Sequence, residues 1–114
     1  MATLFNTVKK PGGNPQSVKV TISLTWDVDV APVVSYPDDD TFFVGPFIFH
    51  SDDDGYWSIS DLIENEVLEP AGSLYKIVET SSAGDVTYFV DVPSAATPTF
   101  WVGDILASKP SWES

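Results

Sequence analysis

The clearest pattern in the chain runs from residue 18 to residue 30. Val18, Val20, Ile22, Leu24, Trp26, Val28 and Val30 are apolar, and Lys19, Thr21, Ser23, Thr25, Asp27 and Asp29 between them are polar. Side chains alternate faces along a strand with a period of two, so the stretch predicts one long strand with one face on a core and one in water. On this reading Trp26 is a core residue, and Pro32 ends or bends the strand. A loop follows over 31–41, with the solvated run Asp38-Asp39-Asp40. Phe42 to His50 reads as a second, aromatic-rich strand interrupted at Gly45-Pro46, which suggests an edge position, a bulge or a crossover between sheets. Ser51-Asp52-Asp53-Asp54-Gly55 reads as a hairpin turn, because Gly accepts positive φ, with Tyr56 to Ile59 returning from it.

Asp61 to Glu69 fits either a short helix capped by Ser60 or Asp61 and stopped by Pro70, or irregular coil. Leu74–Thr80 and Val86–Val92 make a second hairpin through 81–85. In it Tyr75, Ile77 and Glu79 share one face, and Tyr88, Val90 and Val92 share one face of the other strand. Pro93 and Pro98 bracket a loop before a last apolar segment, Thr99 to Leu106. Short strands, Pro/Gly turns and almost no helix predict an all-β fold: an antiparallel immunoglobulin-like β-sandwich of about six to seven strands. Residues 1–16 are expected to form an extended N-terminal arm, since Lys9-Lys10-Pro11-Gly12-Gly13-Asn14-Pro15 holds neither helix nor central strand. Residues 17–108 form the sandwich, and 109–114 a short tail.

Composition narrows the chemistry. The 114 residues include 17 Asp and Glu against five lysines and no arginine, for a net charge of −12. Nucleic-acid binding depends on Lys and Arg neutralising phosphates, and docking on anionic membranes needs the same cations, so neither partner is expected. Without cysteine there is no thiol catalysis, thiolate metal site or disulfide. Met1 to Asn6 lacks the cationic start and apolar stretch of a signal peptide. No apolar run approaches the length of a membrane helix.

Catalysis is poorly supplied. His50 is the single histidine, no serine sits in a Gly-x-Ser-x-Gly elbow, and glycine-rich phosphate loops are missing. The expectation is a protein that is no enzyme, with no catalytic residues, no cofactor and no metal. The nearest thing to a metal motif is His50-x-Asp52-x-Asp54-Gly55, with Asp61 where a calcium loop would close. The His at the first position and the short Asp at the last count against calcium. Candidate partner-binding residues are Leu4, Phe5, Val8, Lys9 and Lys10 on the arm, and Trp112, an aromatic in a polar tail.

From Gly55 onward the chain resembles a known family. The residues are Gly55-Tyr56-Trp57-Ser58-Ile59, Leu62, Asn65, Leu68-Glu69-Pro70-Ala71-Gly72-Ser73-Leu74-Tyr75-Lys76-Ile77, Thr87 to Pro93, and Val102-Gly103-Asp104-Ile105-Leu106. They are similar to small β-sandwich domains in virion proteins of tailed bacteriophages, especially those of actinobacterial hosts. The resemblance implies a structural protein on the virion. Its partners would be the major capsid protein, other virion proteins, or further copies of itself. Such modules occur in capsid decoration or minor capsid proteins and in tail-fibre or minor tail proteins. A tail-fibre version normally continues into repeats or a receptor-binding domain, so a chain ending soon after Leu106 is expected on the capsid surface. The alternative is a tail module that binds a host receptor or carbohydrate.

Overall fold

The computed structural model describes residues 1–36, 38–41 and 46–113. Among them the strands in chain order are β1 (Ala2–Thr7), β2 (Lys19–Thr25), β3 (Val34–Ser35), β4 (Phe47–His50), β5 (Tyr56–Leu62), β6 (Leu68–Glu69), β7 (Leu74–Ser81), β8 (Gly84–Val90), β9 (Thr99–Trp101) and β10 (Leu106–Ala107). The smaller of the two main sheets has the order β5-β1-β9 and the larger β10-β8-β7-β2-β4; β3 and β6 form a separate short ribbon. All pairings are antiparallel except β1 with β9, which runs parallel. The chain is all-β, with its sheets packed in a sandwich-like fold.

The core lies between the two main sheets. Ala2 and Leu4 of β1 and Trp57 and Leu62 of β5 meet Val20, Ile22 and Leu24 of β2, Tyr75 and Ile77 of β7, and Val90 of β8 in one buried cluster. Strand alternation supplies these faces, since Val20, Ile22 and Leu24 are buried while Lys19 is exposed and Thr21 and Ser23 are half-buried. Each fully buried Leu, Ile or Val contributes roughly 1.5–3 kcal/mol by leaving water.

The expected arm is instead built into the sandwich. β1 is the middle strand of the smaller sheet, and Ala2 and Leu4 are fully buried. Its partners lie far along the sequence, at Leu62 to Tyr56 and at Thr99 to Trp101, so nothing local announces it. The stretch after Val8 is not extended either: it folds back in a tight turn closed by Lys10 N to Asn14 O at 2.7 Å and Gly13 N to Lys10 O at 2.8 Å.

The long strand predicted over 18–30 stops at Thr25. Asp27 accepts the Asp29 N–H on its carboxylate at 3.1 Å and the Val30 N–H on its carbonyl at 3.0 Å. A local Asx turn thus replaces the sheet ladder. Val28 and Val30 are left exposed, and Trp26 packs only partly against the core.

The Asp-Gly turn forms, with the Asp52 carboxylate accepting N–H bonds from Asp54 and Tyr56, both at 2.9 Å. It is not a hairpin, because β4 belongs to the larger sheet and β5 to the smaller. Of the strand expected over 42–50, Phe47–His50 is β4; residues 42–45 lie outside the described set. Asp61 to Glu69 takes the irregular alternative. β5 runs on through Leu62, a single 3-10 turn covers Asn65–Val67, and β6 follows. Buried Asn65 fixes that loop, accepting from Val92 N at 2.8 Å and donating to Ser73 Oγ at 3.2 Å. The second hairpin, β7 to β8, pairs from Tyr75 with Val90 to Ser81 with Gly84.

Candidate functional site

The outward face of the smaller sheet gathers aromatic side chains. Register decides which residues reach it. Leu4 pairs with Ile59 and Phe100 on the core side, so the next residue, Phe5, faces outward opposite Ser58 and Trp101. Thr7 pairs with Tyr56 and Thr3 with Thr99 on the same outward side. Phe5 stacks on Tyr56, with ring centroids 6.4 Å apart and planes 29° apart. Tyr56 is 44% and Trp101 47% exposed. Hydroxyl side chains of Thr3, Ser58 and Thr99 share this face.

Trp101 is exposed but not loose. Its Nε1–H donates to Asn6 Oδ1 at 3.1 Å. Asn6 in turn donates from Nδ2 to Glu79 Oε2 at 2.9 Å, and the Trp57 indole donates to the same oxygen at 2.7 Å. Glu79 is only 6% exposed, because it follows Tyr75 and Ile77 on the inward face of β7. A buried carboxylate oxygen therefore takes both donors, fixes which way the Asn6 amide points, and leaves the Asn6 oxygen for Trp101. The indole ring also lies on Gly103, where any Cβ would collide with it. Trp57 is braced on its other side by Phe49, edge-on at 5.8 Å. The Tyr88 hydroxyl is buried beside this group without a hydrogen bond. Burial, with the Glu79 charge adding, pushes the Tyr88 phenol well above its ordinary range.

The predicted partner-binding residues fall in different places. Leu4 is fully buried and has no side-chain surface to offer a partner, which corrects its assignment. Val8 packs partly against the core. Phe5 belongs to the aromatic face. Lys9 and Lys10 are exposed on the turn after β1. Trp112 docks on its own domain: its Nε1–H donates to Thr25 Oγ1 at 2.7 Å, and that hydroxyl donates to Glu113 Oε2 at 2.9 Å. The other Glu113 oxygen meets Lys76 Nζ at 2.9 Å. The Lys76 hydrogen bond above all holds the Glu113 carboxyl below the usual range; burial opposes it, and the Thr25 hydrogen bond and the charges of Lys76 and Lys109 add smaller lowering effects.

His50 is exposed at the end of β4, opposite Lys19. Asp61, the expected closing ligand of a calcium loop, stands at the far end of β5, roughly 16 Å of extended strand from Tyr56 at about 3.3 Å per residue. It does not come round to the Asp52 turn. Tyr56 and Trp101 are the site residues that sequence reasoning missed. The signal was there in the alternation of each with a buried neighbour, Trp57 and Val102.

No protein-family model matches the chain, and no curated protein does either.

Proposed function

We propose that the chain is a non-enzymatic structural protein of a tailed-bacteriophage virion, a capsid decoration protein that lies on the outer surface of the capsid lattice. In this reading the outward face of the smaller sheet, with Phe5, Tyr56 and Trp101, is the docking surface. The observation that carries it is the fixing of a half-exposed tryptophan, through the single side chain of Asn6, by a buried carboxylate. Aromatic anchors held in place before contact lose little freedom on binding, and such residues commonly dominate interface energies at 2 kcal/mol or more each, on the order of the strongest single contacts. The sequence resemblance supplies the virion setting. A net charge of −12 suits a protein whose outer surface keeps particles apart in solution. The molecule is 21 Å thin in one direction, a shape that lies flat on a lattice.

The test is the copy number of this polypeptide in purified particles, by quantitative mass spectrometry against the major capsid protein. Hundreds of copies are expected. A handful would point to the tail instead, and none would remove the virion reading.

The hydroxyls of Thr3, Ser58 and Thr99 beside the rings favour one second reading, a tail-fibre or minor tail module that binds carbohydrate. Aromatic planes stack on the C–H face of a sugar while hydroxyls bond its rim. A shift in tryptophan fluorescence on adding host glycans is the expected sign, and no shift across a broad panel would sink it.

A further inference from the structure

We infer that an apolar slot where the two main sheets end takes a lysine side chain of a partner protein, with the alkyl stem in the slot and the ammonium on Asp61. The slot opens at the end of β5 remote from Tyr56, and the inference does not rest on the virion reading. Leu24 of β2 and Tyr75 of β7 pair across the larger sheet, and Leu62 ends β5 of the smaller one. These residues and Leu68 wall a cavity of about 170 Å³, with Met1, Phe47 and Asp61 also lining it. The four wall residues are buried, whereas Met1 is 68% and Phe47 45% exposed. The slot is therefore walled by the core and rimmed by apolar side chains left in water. An apolar cavity of roughly 150 Å³ holds a guest the size of benzene, so a four-carbon stem fits in this one.

Charge sets the sign of the guest. Asp61 is the one acidic side chain that lines the slot. Between the pairs Ala2–Leu62 and Leu4–Ile59, β5 carries one residue more than β1, and Asp61 sits in the resulting bulge with φ at +65°. A glycine takes that backbone without strain, so an acid is held at the rim at some cost to the fold. The Met1 ammonium is already bound to Glu64 Oε1 at 2.9 Å. Among the described residues Asp61 has no ion-pair partner. One positive and two negative charges thus stand at the mouth, in a chain of net charge −12, and a cation is favoured there.

An apolar slot with a carboxylate at its rim matches an unbranched stem that ends in a compact positive charge. Lysine has the longest apolar stem of the cationic side chains, and it buries that stem while its ammonium stays in polar surroundings. A free alkylamine would leave Met1 and Phe47 in water, whereas a segment that carries the lysine covers them. The partner is therefore a basic protein surface with apolar residues beside the lysine. A second copy of this chain is a poor occupant, because it brings the same excess of negative charge.

The experiment follows the NMR signals of the full chain as n-butylammonium, butyrate or a capped leucine–lysine–leucine peptide is added. The amine is expected to shift the Leu24, Leu62 and Leu68 methyl signals, and butyrate to leave them unmoved. The peptide should bind about tenfold tighter than the amine, because its leucines cover the apolar rim. Asp61→Asn keeps the side-chain size and tolerates the left-handed backbone, so the fold should hold. It should weaken the lysine peptide about fivefold, on the order of an exposed ion pair, and leave a control peptide with norleucine in place of lysine unaffected. Shifts confined to other residues, none at millimolar peptide, or butyrate binding as well as the amine would overturn the inference. So would undiminished binding of the lysine peptide by Asp61→Asn, or a peptide no tighter than the amine. Slot signals that move with protein concentration alone would put a second copy there and overturn it too.

Discussion

The indole of Trp101 is held from inside the molecule by Asn6, 95 residues away in sequence, through a 3.1 Å hydrogen bond from Nε1 to Oδ1. Asn6 can serve Trp101 in this way only because Glu79 takes its amide N–H at 2.9 Å. One buried carboxylate thus joins β7 of the larger sheet to β1 and β5 of the smaller and orients a side chain on the surface. That arrangement separates the buried residues that stabilise the fold from the half-exposed indole they orient, so Trp101 can be changed without touching the buried group.

Glu79→Ala leaves the Asn6 amide and the Trp57 indole without their acceptor in a buried setting. Unsatisfied buried donors cost about 1–3 kcal/mol each, so a loss of about 3 kcal/mol or more is expected. Glu79→Gln keeps one oxygen for both donors and should cost clearly less. Urea unfolding of the two variants checks this, and equal losses would show that the hydrogen bonds are not what Glu79 contributes.

Gly103→Ala acts on the surface instead. The backbone at Gly103 has no positive φ, so alanine fits it, but its Cβ would collide with the Trp101 ring. The ring must move off its seat. The expected result is near-wild-type unfolding with weaker partner binding and a changed Trp101 indole signal in NMR. An unshifted indole signal would mean that Gly103 does not seat the ring.

Gly55 carries a different constraint. Its φ is +79°, and a Cβ there would run into the Val8 carbonyl oxygen. The Val8 N–H donates to Gly55 O at 2.9 Å, so the turn and the end of β1 are in direct backbone contact. Gly55→Ala combines left-handed strain with a backbone clash and should cost about 3 kcal/mol or more. Thermal unfolding reads it, and a drop of only a degree or two would contradict the geometry.

Alkali should weaken the fold in a defined window. The Tyr75 hydroxyl donates to Ile63 O at 2.8 Å, and burial, with the charge of Glu64 adding, pushes the phenol up to about 12. An unfolded tyrosine titrates near 10, roughly. Because the folded value is the higher one, the contribution is complete below the unfolded value and is lost as the pH rises toward the folded one. Stability should therefore hold up to about pH 10 and fall between there and pH 12. Tyr75→Phe should flatten part of that fall, and an unchanged slope would place its origin elsewhere.

The sandwich was legible because its main strands alternate strictly. Residues 18–25 show one buried face, and the Tyr75, Ile77, Glu79 face of β7 already placed an acid on the core side. The site was less legible. β1 is a six-residue strand paired with segments about fifty residues away or more, so its Leu4 and Phe5 look like isolated apolar residues on an arm until β5 and β9 close around them. Asp27 ended β2 early by bonding its own neighbours, which a hydrophobic pattern cannot show. Trp112 looked like a free anchor because the hydroxyl that receives its indole N–H, on Thr25 of β2, lies 87 residues away in the sequence.

The most direct test of the docking face is the occupancy of Trp101→Ala on capsid shells lacking this protein, compared with the wild-type chain at equal concentration. Loss of a central aromatic anchor predicts at least tenfold weaker attachment with the fold intact by circular dichroism. Wild-type occupancy by the folded variant would contradict the account.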